Sequence, residues 1–197
     1  MMVLKKYYQR TTQVPQTVKS FLIKGFLLFV LWKAIYLLFL LPSRTLDKPL
    51  TGFTAINAAR VLNTLTNTKD FTVKPETDEY NDNGFVELQP MESIYYHQHR
   101  VLSIADVCNA LELLVLYAGF IICYPSGLKR KIAFITGGII FICCINVLRC
   151  AGLTWIFMHY PNYGDFSHHF VFTFIVYAFI FLLWLWFSKK TGKNAEA

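Results

Sequence analysis

Apolar positions in this chain come in long blocks rather than at the short period of a soluble helix or strand. Near-continuous apolar runs cover 21–41, 106–124, 132–157 and 168–187. Each approaches or exceeds the roughly 20 residues a helix needs to cross a bilayer core, and each predicts a membrane-spanning helix. Pro42 closes the first run, Pro125-Ser126-Gly127 the second, and the polar stretch 158–167 separates the last two. Only 42–105 is polar at length. Within it, 53–65 carries Ile56, Ala59 and Leu62 at helical spacing, which predicts an amphipathic helix lying on the membrane surface or capping the bundle. Phe71-Thr72-Val73 and Phe85-Val86-Glu87-Leu88 flank Asn83-Gly84, a hairpin-turn signal, and 93–97 and 100–104 add further strands. The expected fold is an all-α polytopic membrane protein. It is a bundle of about four transmembrane helices with a small α+β extracytoplasmic segment between spans 1 and 2.

Composition supports that reading. The 197 residues are 55% hydrophobic and only 16% charged, against roughly 25% charged in soluble domains. Lys24 interrupts the first run and no small-residue cleavage site follows it, so it reads as a span and not as a signal peptide. The net charge of +7 does not point to nucleic acid, because the basic residues gather beside the apolar runs, where they set topology. Residues 1–20, the loop 125–131 with Lys129-Arg130-Lys131, and the tail 188–197 are basic and read as cytoplasmic. Segment 43–105 has six Lys/Arg against eight Asp/Glu, and 158–167 has no Lys/Arg. Both therefore read as extracytoplasmic, with the two ends of the chain inside.

The charges and thiols inside the runs supply the candidate chemistry. Asp106 is positioned to act as N-cap of the second span, which would put Cys108 in its first turn, where free N–H groups favour a thiolate and can receive an oxyanion. Taken alone, Cys108 also reads as a small apolar residue of a membrane helix. Arg149 lies between Ile145, Val147, Leu148 and Ala151, Leu153, Trp155. It is 17 residues into the third span, roughly 26 Å at helical rise, and a charge at that depth is a functional candidate by default. Asn146, one turn earlier, shares its face. His168-His169 opens the fourth span behind Asp165, and an imidazole there can move protons for a thiol; interfacial histidines without chemistry are the alternative. Glu112 and Lys33 are further charges inside spans, and Glu112 is expected to pair with Lys33 or Arg149. Cys123, Cys143, Cys144 and Cys150 lie at other depths or on other faces.

Cys108-Asn109-Ala110-Leu111-Glu112-Leu113, Asn146-Val147-Leu148-Arg149 and His168-His169-Phe170, in that order at the ends of successive spans, resemble the exosortase/archaeosortase family, in its short four-span bacterial branch. The resemblance covers 100–187 well, the first span loosely and 43–105 hardly at all. Many members have Gly where this chain has Ala110. The resemblance implies a membrane-embedded cysteine protease/transpeptidase in the cytoplasmic (inner) membrane, its active site facing the extracytoplasmic side. Its implied partners are exported proteins with a C-terminal sorting signal of short motif, transmembrane helix and basic tail. By resemblance Cys108 is the nucleophile, Arg149 stabilises the oxyanion or positions the substrate, and a histidine is the acid/base. His169 is favoured because the small Thr173 follows it by four residues, with His168 left open. Asn109, Glu112, Asn146 and Lys33 would support the site. No cofactor and no metal are expected.

Three other readings compete. A four-span thiol oxidoreductase needs a second thiol beside Cys108, and Cys150 is the nearest in depth. A haem protein needs facing histidines on two spans, and no other run has one. A non-enzymatic assembly protein predicts that Cys108→Ala leaves function intact.

Overall fold

The computed structural model describes residues 16–82 and 85–193. The Asn83-Gly84 turn, most of the basic N-terminal stretch and 194–197 lie outside the described residues. The fold is mostly helical with one three-stranded sheet.

Helix α1 spans Gln16–Ile35 and continues through a wide π turn, Tyr36–Leu40, to a last turn at Leu41–Ser43. Arg44 then takes a left-handed backbone, φ 48°, which reverses the chain into α2, Asp47–Thr66. The strands follow: β1 Phe71–Asp82, β2 Phe85–Tyr96 and β3 His99–Ala105. A 3-10 turn, Asp106–Cys108, leads to the short helix α3, Leu111–Cys123. Helix α4 runs Leu128–His159. After Tyr160 come α5, Pro161–Phe166, a π turn, Ser167–Val171, and α6, Phe172–Lys193.

Among the described residues, three helical stretches are long and apolar enough to cross a membrane: Val18–Ser43, Leu128–His159 and Pro161–Lys189. The protein is thus multi-pass. The expected second span differs. Instead of a helix over 106–124, α3 has 13 residues, about 20 Å long and short of a bilayer core of about 30 Å. The cause is tertiary: 106–109 is held in a turn by Arg44 and by Asp47 and Thr51 of α2. The expected loop 158–167 is helical from Pro161 onward, because Pro is well suited to a first helical position.

The sheet is an antiparallel meander in the order β1-β2-β3. The two short strands expected at 85–88 and 93–97 are one strand, and β1 runs to Asp82 although 74–82 is largely polar. Backbone pairing, not an apolar face, extends this ribbon. Phe71, Ile94 and Ile104 are buried against Ala55, Ala58, Ala59 and Leu62 of α2 and Cys150 and Ala151 of α4. The alanines allow close approach. Ile56 is 44% exposed, and the face of α2 that meets the sheet and α4 runs through the alanines and Leu62. Asn63 clips the sheet to α2, donating to the Phe71 carbonyl at 2.9 Å and accepting its N–H at 3.0 Å.

At the other end of the bundle, Phe120 stacks on Trp184 and Phe187 packs edge-on to Tyr124 and Phe134. Lys131 donates to the Ile122 carbonyl at 2.7 Å, closing the C-terminal turn of α3. The sheet and the Lys129–Lys131 stretch therefore occupy opposite ends. Mid-bundle, Tyr117 is fully buried and donates to the Phe134 carbonyl at 2.8 Å. Its ring lies where a Cβ on Gly138 would be, 2.1 Å from the hydroxyl.

Candidate active site

Cys108 ends the 3-10 turn, three residues ahead of α3, and not in the first turn of that helix as its spacing from Asp106 suggests. Asp106 caps no helix with its side chain. Its carboxylate instead takes a two-pronged contact from Arg44, Nε to Oδ2 at 2.7 Å and Nη2 to Oδ1 at 2.9 Å, and the Thr51 hydroxyl at 2.7 Å. The Arg44–Asp106 contact is the main cause raising the Arg44 pKa. Asn109, 2% exposed, donates to Asp47 at 2.9 Å and Thr51 at 3.3 Å, and accepts the Leu111 N–H at 2.8 Å. Asp47, 1% exposed, also accepts the Tyr36 hydroxyl at 3.2 Å. The residues on either side of Val107-Cys108 are thus fastened to α1 and α2. Ala110 starts α3 with φ 69°, a left-handed conformation that suits glycine.

The thiol faces the last helix. Cys108 Sγ and His168 Nε2 are 3.7 Å apart, within hydrogen-bonding range for sulfur. His168 is half-buried and lies on the Ser167–Val171 π turn, a local register shift of the kind frequent at functional sites. His169 is exposed, with its ring 4.8 Å from that of His168. The ring against Cys108 is therefore that of His168, not the favoured His169. Thr173, which suggested His169, donates its hydroxyl to the His168 carbonyl at 3.1 Å. The helix carrying His168 is held close to α4 at Gly164, where a Cβ would lie 2.3 Å from the Phe157 ring.

From α4, Asn146 is buried and donates to the Cys108 carbonyl at 3.0 Å. Its Oδ1 accepts from Arg149 Nη1 at 3.4 Å. The Arg149 Nε is buried without a hydrogen-bond partner among the described residues. Such a donor costs about 1–3 kcal/mol unpaired, so this guanidinium is poised to accept an anion or a carbonyl. Arg149 lines a cavity of about 260 Å³ together with Tyr36, Asp47, Asp106, Asn109 and Glu112.

Glu112 pairs with Lys33, the first of its two expected partners. The pair borders an apolar groove of about 280 Å³ between α1 and α3, and Glu112 also lines the Arg149 cavity. Cys150, the thiol an oxidoreductase would need, is 2% exposed in the core. Arg44, Asp47, Thr51 and Tyr36 carry no sequence signal as site residues. Arg44, Asp47 and Thr51 reach 106–109 across some 60 positions, and Tyr36 joins them through Asp47, so the link exists only in the folded chain.

The family model for transmembrane exosortases (Exosortase_EpsH) matches residues 20–186. The chain belongs to the transmembrane exosortase family. The match takes in the first span and the polar segment as well as the C-terminal half, so α2, whose side chains hold the Cys108 turn, falls within the exosortase region. Comparison with curated proteins and with solved structures gave no match.

Proposed function

We propose that this exosortase is a cysteine peptidase or transpeptidase that processes exported proteins at a C-terminal sorting signal of motif, transmembrane helix and basic tail. The observation that carries the reading is the Cys108–His168 contact at 3.7 Å, made near Arg149, whose Nε has no hydrogen-bond partner among the described residues. In the proposed cycle His168 Nε2 takes the thiol proton as Cys108 Sγ attacks the scissile carbonyl. Arg149 stabilises the oxyanion, as preorganised donors do in acyl transfer. The C–N bond then breaks, His168 returns the proton to the leaving amine, and a thioester remains on Cys108. Water or an amine attacks that thioester, giving its proton to His168, and the thiol is released. Asn146 holds the Cys108 carbonyl and Arg149 in fixed relation. Lys33 and Glu112 neutralise each other at membrane depth.

The same reading sets the orientation. The Lys129–Lys131 end is cytoplasmic by its charge, so the sheet and Cys108 face outward from the cytoplasmic membrane, with both chain ends inside. The short α3 then acts as a fourth, incomplete span whose missing turns are replaced by the Cys108 loop.

The test is processing, in cells, of an exported reporter bearing such a C-terminal signal. Cys108→Ala and His168→Ala are expected to abolish it, Arg149→Ala to lower it by about 100-fold or more, and His169→Ala to leave most of it. Normal processing by Cys108→Ala refutes the proposal. Loss on His169→Ala with activity kept in His168→Ala reassigns the base.

A further inference from the structure

One strand edge beside Cys108 is left open. β3 pairs with β2 only from Met91↔Ala105 to Tyr96↔His99, so on that side Phe85–Pro90 has no paired strand among the described residues. The direction of its backbone groups follows from the ladder. In an antiparallel pair, alternate residue pairs turn their N–H and C=O toward each other or away. Phe71, opposite Tyr96, gives both groups to Asn63 outside the sheet. His97 N–H, by contrast, bonds the Asp70 carbonyl at 3.1 Å across the ladder. Pairs in step with Phe71↔Tyr96, which include Thr77↔Pro90 and Glu79↔Leu88, therefore point outward. Pro90 agrees, since it has no N–H to give and its carbonyl meets Arg44 Nη2 at 3.4 Å. The N–H and C=O of Leu88 thus face the lane that β3 vacates when it turns away at Asp106.

The other edge of the sheet is guarded: Asn63 occupies Phe71, and Pro75 stands opposite Glu92 with no N–H to offer. On the β2 edge Pro90 and its Arg44 contact block the position next to β3, whereas Leu88, two residues further along, carries no such device, although exposed edges invite added strands and are commonly blocked. Leu88 itself is 63% exposed. The lane opens onto a cavity of about 610 Å³ walled by Leu88, Gln89, Pro90, Arg44, Asp106 and Val107. Asp106 and Val107 immediately precede Cys108, and Val107 is 85% exposed.

We propose that the open edge of β2 at Leu88 is the docking lane for an extended peptide segment, which pairs as an added strand in line with β3. Main-chain hydrogen bonds at Leu88 would supply affinity independent of side-chain sequence, while the cavity admits alternate side chains. A segment in this lane continues the line that ends at Ala105, and its next residues pass the Val107-Cys108 turn. Resting on the function proposed above, the segment is the extended stretch of substrate that carries the scissile bond.

The experiment has two arms on the full chain in detergent micelles. In the first, amide hydrogen exchange at Leu88 is followed alone, with a soluble blocked peptide of alternating Val and Thr, and with the same peptide N-methylated at every second residue. Exchange is expected to be fast alone, slowed by roughly tenfold at saturating peptide, and unaffected by the methylated peptide. A Leu88 amide that is already protected, or that the unmodified peptide does not slow, overturns the proposal whatever the enzyme does. In the second arm, Leu88→Pro removes the N–H and Leu88→Ala keeps it. With the reporter above, Leu88→Pro is expected to reduce processing by roughly tenfold and Leu88→Ala to retain most of it, while maleimide alkylation of Cys108 keeps its wild-type rate in both. Equal processing by Leu88→Pro, or an equal loss in Leu88→Ala, contradicts the edge. A reporter that the wild-type chain does not process contradicts the peptidase reading, and the exchange arm still decides the docking.

Discussion

Asn109→Asp tests whether the clamp on the Cys108 turn governs the site. The change is nearly isosteric and keeps an acceptor for the Leu111 N–H, but it replaces the donor 2.9 Å from Asp47 with a second carboxylate. Both positions are at most 2% exposed. Two full charges at that distance repel by about 6 kcal/mol at an effective dielectric of 20. Proton uptake by one of them limits the penalty, so a loss of about 3–5 kcal/mol is expected, as for other buried charges left without a partner. For a chain of this length that is on the order of 10 °C in Tm. Adding Asp47→Asn exchanges donor and acceptor. The amide introduced on α2 then donates to the carboxylate introduced in the turn, and its carbonyl still takes the Tyr36 hydroxyl. The new carboxylate still accepts from Leu111. The double variant should return to within about 1 kcal/mol of wild type, a coupling well above the roughly 0.5 kcal/mol of independent sites. Thermal unfolding in detergent gives the energies, and the maleimide alkylation rate of Cys108 reports the turn. Additive losses in the double variant, or an alkylation rate indifferent to Asn109→Asp, would refute the clamp.

Three further outcomes are expected. Ala110→Val forces a β-branched residue to φ 69° and should cost about 2 kcal/mol or more in thermal unfolding, whereas Ala110→Gly should stay within about 1 kcal/mol of wild type. Gly138→Ala drives a methyl into the Tyr117 ring and should cost about 1–3 kcal/mol by the same measurement, without altering the Cys108 alkylation rate. In the sheet, the Tyr95 hydroxyl, with Ser93 and Arg100 adding, holds the Glu76 carboxyl below its ordinary range. A lowered folded pKa stabilises above the unfolded value and is lost as pH falls through the folded one; the Tm gap between wild type and Tyr95→Phe should therefore shrink from about pH 6 to about pH 3.

The apolar runs made the membrane architecture legible, because bilayer thickness imposes a length that block hydropathy reports directly. Arg149 and Glu112 stood out for the same reason: a charge at that depth needs an explanation, and Glu112 found Lys33. The start of α3 was not legible. Asp106 has the chemistry of an N-cap, but Arg44 and Thr51 claim its carboxylate, and they come from a segment whose own charges look like ordinary surface. The two histidines are adjacent in sequence, and a π turn decides which ring meets the thiol; that one-residue widening leaves no mark in the pattern of apolar residues. The left-handed backbone at Ala110, φ 69°, is a constraint toward a small residue that is visible as such only once the backbone is known.

The acyl-enzyme itself is the most direct test of Cys108 as the nucleophile. Purified wild-type protein is mixed with a peptide the reporter assay has shown to be cleaved, quenched in acid and examined by intact mass and peptide mapping. The proposed cycle leaves a hydroxylamine-sensitive thioester on Cys108 with the mass of the N-terminal fragment, absent from Cys108→Ala and formed far more slowly in His168→Ala. Cleavage that proceeds with no adduct on Cys108, and that persists in Cys108→Ala, would contradict it.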